Sequence, residues 1–226
     1  MPFNPLGTFD PAAPLDAGAL AEGNAFAAKL PHVPAGAIDR IYVHWTVGHF
    51  GTDFDDYNGS VNFDKVKEKF SLHIVGDPRD NARGVTSNPV HSHTFHRNTG
   101  AFGIATDDMI GATEHNFGPE PLTMMTLEYL CAGIAAVGKV YGIDVNGTST
   151  GAPYAGEPTV LTHAEAADRP GAPPQYDRYG PASTSERWDL ASFVALPAGL
   201  SATGETARTC GDALRARAHL YKVALH

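Results

Sequence analysis

From Thr123 to Gly142 the chain places Leu127, Leu130, Cys131, Ile134, Val137 and Tyr141 at three- and four-residue steps, which makes one face of a long helix apolar. Thr123 has the side chain of an N-cap, and Gly142 ends the pattern. A helix of this kind must bury its stripe, and the segments able to receive it are short. Ile41, Tyr42 and Val43 form a compact run within 39–46 that ends at His44, Leu72, Ile74 and Val75 lie in FSLHIVGD, residues 101–106 read AFGIAT, and PTVLTH closes at His163. Strand-length runs separated by helical segments predict an α/β domain with a central mixed β-sheet flanked by α-helices.

The remaining segments fit around that unit. Residues 1–15 form a Pro-rich extended arm, and ALAEGNAFAAKL favours a short helix that stops before Pro31. Residues 63–69, FDKVKEK, are expected to make one or two helical turns, followed after the FSLHIVGD strand by polar chain to Asn88. ARTCGDALRARAHLYKVAL is expected to be a terminal helix. The expected layout has the arm and short helix over 1–37 packed on a main domain over 38–195, with a helical extension of the same domain over 196–226.

Charge narrows the range of partners. With 16 Lys and Arg against 25 Asp and Glu, a formal net charge of −9 does not supply the basic surface that nucleic acid or anionic lipid requires. The N-terminal stretch lacks the basic and apolar regions of a signal peptide, and no run approaches the length of a membrane span. A chain made in the cytoplasm is expected. Cys131 and Cys210 stand in no metal or redox spacing and are read as buried free thiols. No phosphate loop or dinucleotide fingerprint is present.

Eleven histidines include a dense set at His44, His49, His73, His91, His93 and His96, a density suited to metal or proton chemistry. His44 and His163 each stand where a β-branched run meets a polar one, and Asp189 follows in ERWDL. Two neutral imidazoles and one carboxylate from separate segments leave a tetrahedral Zn²⁺ with one open position, the arrangement of a metal hydrolase.

The order IYVHWT, SLHIV, HTFHRNTGAFGIA, PLTMMTLEYL, VLTHAEA and RWDL resembles the zinc-dependent N-acetylmuramoyl-L-alanine amidases of the type-2 family. That family includes phage endolysins, recycling amidases and peptidoglycan recognition proteins. The resemblance covers about residues 38–195. It implies Zn²⁺ held by His44, His163 and Asp189, with muramyl peptide as the substrate. Such an enzyme acts on the cell wall after release or delivery, as an endolysin or another antibacterial hydrolase does. Arg187 matches the cation of a K-x-D arrangement, placed to polarise the scissile carbonyl. His73 matches the histidine of the S-x-H strand, and His93 and Asn98 fall in a stretch assigned to the sugar or peptide end of the substrate.

Two departures from the family pattern have consequences. Ala105 stands where many members carry the glutamate that acts as general base. Glu165 is the first substitute, because an extended THAE would put residues 163 and 165 on one face, an argument that fails if the chain has already turned helical. Asp107 is the second candidate and Glu114 the third. Asp189 also follows His163 by 26 positions, so RPGAPPQYDRYGP is expected to form a lid or groove wall in which Tyr176 and Tyr179 offer a surface for a sugar or stem peptide. The missing glutamate is also what a non-catalytic peptidoglycan-binding module of this fold would tolerate.

Overall fold

The computed structural model describes residues 3–83, 91, 93–94, 97–167 and 188–226. Its elements run α1 (Ala17–Ala27), β1 (Arg40–Trp45), β2 (Gly59–Asp64), β3 (Lys69–Ile74), α2 (Pro78–Arg83), β4 (Ala101–Thr106), α3 (Met124–Val140), β5 (Val160–Thr162), α4 (His163–Ala167) and α5 (Gly204–Ala224). The five strands form one mixed sheet in the order β3-β2-β4-β1-β5. β1 is parallel to both β4 and β5, β2 is parallel to β4, and only β3 runs antiparallel to its neighbour β2. This is the α/β architecture the hydrophobic pattern predicts. Among the described residues, no helix is long and apolar enough to cross a membrane.

β1 and β4 are buried at every position, as inner parallel strands covered on both faces should be. The register divides the side chains cleanly. Leu72, Val61, Thr106 and Trp45 follow one another across the sheet on one face, while His73, Ser60, Ala105 and His44 do so on the other. Helix α3 packs on the first face, where Gly133 allows the approach: a Cβ there would come within 2.7 Å of Ile104. The second face is left for polar chemistry.

Helix α3 begins where its cap predicts, with Thr123 Oγ1 accepting from Thr126 N at 3.0 Å. Residues 63–69, expected to be helical, are instead the tip of the β2–β3 hairpin. Phe63 pairs with Phe70 and Asp64 with Lys69 across it. The Asp64 carboxylate accepts from the amides of Val66 and Lys67 at 2.9 and 3.0 Å, and the Phe63 and Phe70 rings pack at 4.7 Å. Turn capping and a cross-strand aromatic pair outweigh the helix propensity of a few lysines and glutamates. The segment expected to be plain polar chain contains α2, opened by Pro78, with Asp77 Oδ1 accepting from Arg79 N at 2.9 Å. PTVLTH is a strand only through Thr162, because α4 begins at His163.

The arm is tied to the body by a buried arginine. Arg217, on α5, forms a bidentate pair with Glu128 on α3 and also donates to the carbonyls of Ala13 and Pro14. Cys131 and Cys210 are buried free thiols, as expected, and burial pushes both well above their ordinary pKa.

Candidate metal centre

Three side chains from three elements converge at the C-terminal edge of β1. His44 comes from β1, fully buried and in register with Ala105. His163 is the first residue of α4, directly after β5. Asp189 sits in a turn over 188–190 whose Trp188 ring packs edge-on against Trp45 of β1 at 4.7 Å. The Asp189 carbonyl accepts from Ala164 N at 3.3 Å, which ties that turn to α4.

The ligand atoms form a nearly equilateral triangle. His44 Nδ1 lies 3.2 Å from His163 Nδ1 and 3.4 Å from Asp189 Oδ2, and the third side is 3.3 Å. A tetrahedral ion with bonds of 2.0–2.1 Å separates its ligand atoms by about 3.3 Å. The buried triad can therefore hold a metal ion with little rearrangement. Burial, with His163 and His93 nearby, holds His44 well below its usual pKa, so the imidazole is neutral and its lone pair available.

The local sequence explains why His163 is placed so firmly. Thr162 Oγ1 accepts from Glu165 N at 3.1 Å, and Glu165 Oε2 accepts from Thr162 N at 3.0 Å. This is a capping box, and it starts α4 at His163, where an extended reading of THAE would still have strand. Helical geometry turns residues 163 and 165 about 200° apart, so the expectation of a shared face does not hold. Glu165 instead receives Arg215 through both guanidinium nitrogens at 2.9 Å. Gly211 of α5 is glycine because a Cβ there would overlap that carboxylate. The first candidate for general base is thus a structural anion between α4 and α5.

A second layer orients His44. Its Nε2 lies 3.1 Å from Thr94 Oγ1, and Thr94 Oγ1 lies 3.1 Å from His93 Nδ1. His93 is itself buried, which depresses its pKa to about 3, and its ring lies over Gly103, where a Cβ would collide with it. Asn98 Oδ1 accepts from Thr94 N at 2.6 Å. His93 and Asn98, expected to contact substrate, here support the ligand. The Tyr57 ring covers another side of His44 at 5.1 Å. Thr94 carries no sequence signal beyond its place after His93, and Tyr57 lies in a loop with no pattern to single it out.

The other expected site residues are distributed as follows. His73, on edge strand β3, is paired to Asp53 at 2.9 Å and to Ser71 at 2.9 Å. It lines an open groove of ≈ 420 Å³ with Asp53 and Asn62, at the far end of the row that leads through Ser60 and Ala105 to His44. Asp107 lies on that same face and accepts from the Ser60 hydroxyl. Burial, aided by the charge of Asp53, pushes its carboxyl up to about 8. Glu114, the third base candidate, is buried and accepts from Ala202 N at 3.0 Å. Arg187, Tyr176 and Tyr179 fall outside the described residues.

Compared with known proteins, the chain matches no family model, no curated protein and no solved structure.

Proposed function

We propose that the chain is a zinc-dependent peptidoglycan hydrolase that cleaves the amide between the lactyl group of N-acetylmuramic acid and L-alanine. The observation that carries this reading is the buried triangle of His44 Nδ1, His163 Nδ1 and Asp189 Oδ2, with sides of 3.2–3.4 Å. Zn²⁺ held there supplies a Lewis acid and lowers the pKa of a water toward neutrality. The choice of substrate rests on the ordered motifs from IYVHWT to RWDL and their resemblance to the type-2 amidases.

Each residue then has a task. Thr94 fixes the His44 ring, and burial keeps that ring neutral. Trp188 packs the ligand turn against Trp45. Arg187, two positions before Asp189, supplies the cation for the carbonyl oxygen. With Glu165 committed to Arg215, the proton falls to Asp107, the described carboxyl that follows Ala105 on the His44 face. A pKa raised to about 8 suits a group that must both take and return a proton near neutrality. The groove beside His73 receives the remainder of the muramyl peptide.

One observation favours a second reading, a peptidoglycan-binding module without catalysis: Ala105 replaces the family glutamate, and Glu165 is held by Arg215. Purified sacculi incubated with the chain and Zn²⁺ separate the two. Release of stem peptides by the wild type, abolished in Asp189→Ala, supports the amidase. Intact sacculi that retain the bound wild-type chain would establish the binding module.

A further inference from the structure

We infer that the N-terminal arm is a latch that positions the third metal ligand. This inference rests on the metal reading of His44, His163 and Asp189 and concerns what holds Asp189 in place. The segment that follows Asp189 is seated on the arm. Phe193 N donates to the Pro5 carbonyl at 2.7 Å, and the same carbonyl accepts from Ser192 Oγ at 3.3 Å and, weakly, from Cys210 Sγ at 3.9 Å. The Phe9 and Phe193 rings meet edge to face with centroids 5.4 Å apart. Gly7 takes a φ of +60°, and a Cβ there would come within 2.5 Å of Val194, so the arm and the 192–194 segment are in close contact.

The turn that presents Asp189 needs such support. Leu190, the next residue, is fully buried with φ 60°, a left-handed conformation that a branched side chain keeps only where its surroundings enforce it. The arm is in turn fixed at its far end. Arg217 donates to the Ala13 and Pro14 carbonyls, and Asp16 N donates to Tyr221 Oη at 3.0 Å. The line of support runs from α5 through the arm to residues 192–194 and so to Asp189. His44 and His163 are carried instead by β1 and by α4. Phe9 is therefore a positioning residue for the metal centre, although it lies in a segment with no ligand of its own.

Co²⁺ is the probe, because its visible absorption reports ligand number and geometry. Affinity, from competition with a chelator, and the spectrum at saturation are compared for the wild type, Phe9→Ala, and the remote core variant Val145→Ala, with global stability measured for each. The latch predicts that Phe9→Ala weakens Co²⁺ binding by about 10- to 100-fold and alters the saturated spectrum, while Val145→Ala leaves both unchanged. Phe9→Leu, expected to fall between wild type and alanine, carries the same comparison where the alanine variant does not fold. Wild-type affinity and spectrum in the Phe9 variants, or equal weakening in Val145→Ala, overturn the latch and leave the metal centre intact. Failure of the wild type itself to bind Co²⁺ overturns both.

Discussion

His44 Nε2 lies 3.1 Å from the Thr94 hydroxyl, on the side of the ring away from Asp189 and His163. With the Nδ1 lone pair given to a metal, Nε2 carries the proton and donates it to Thr94 Oγ1. The Thr94 hydroxyl must then donate onward to His93 Nδ1, 3.1 Å away. Polarity is set along the whole chain, and the ligand's tautomer with it.

Thr94→Val removes that acceptor while keeping the shape. Zn²⁺ affinity is expected to fall by about 10- to 100-fold, measured by competition with a chromophoric chelator, and Thr94→Ser is expected to restore most of it. Equal affinities for the valine and serine variants would remove Thr94 from the account.

Glu165→Ala separates a structural anion from a catalytic base. The substitution leaves Arg215 buried without its bidentate partner and breaks the α4 capping box. Loss of a buried ion-pair partner costs about 3–5 kcal/mol, which for a chain of this size lowers Tm by roughly 10 °C. Thermal unfolding of the metal-free protein checks this. An unchanged Tm accompanied by a large loss of turnover would return Glu165 to the catalytic role.

The pair His163 and Glu165 also shows where sequence reasoning stops. The strand runs ending at His44 and His163, the strand over 101–106 and the α3 stripe were legible, because each is a local pattern of apolar side chains. His44 and His163 are legible from their places at the ends of apolar runs, and Asp189 only from its order after them in the series of motifs. THAE, by contrast, reads equally as the end of a strand and as the T-x-x-E of a capping box, and only the reciprocal bonds decide. That Glu165 meets Arg215, 50 residues away, is a fact of packing that no local window contains. Residues 63–69 defeat a local reading for a related reason: their composition favours helix, but the Phe63–Phe70 pair forms only once β2 and β3 align.

Asp107 makes stability depend on pH in a direction opposite to the usual carboxylate. Its folded pKa, raised to about 8 chiefly by burial, exceeds the unfolded value of about 4. Between those values the native state binds the extra proton, so its contribution is complete below pH ~4 and is lost as pH rises through ~8, at up to about 1.4 kcal/mol per pH unit. His44 and His93 act in the opposite sense: their pKa values are depressed, and their contribution is lost as pH falls below about 6.5. The difference between wild type and Asp107→Asn isolates the carboxyl. Urea unfolding of the metal-free proteins at pH 5 to 8 should show the wild type losing ground to the variant as pH rises, and a pH-independent difference would contradict the assignment.

Zn²⁺ binding is linked to folding. At a free concentration of 100 times Kd the wild type should gain about 2.7 kcal/mol in stability. Asp189→Ala, lacking one of the three ligands, should gain far less under the same conditions, as read from the urea midpoint with and without Zn²⁺.

The most direct test of the metal centre is the metal content of the purified chain after equilibration with Zn²⁺ and removal of excess. The account predicts one Zn²⁺ per wild-type chain and its loss in His163→Ala. A wild-type chain that retains no Zn²⁺, or a His163→Ala chain that retains a full equivalent, would contradict it.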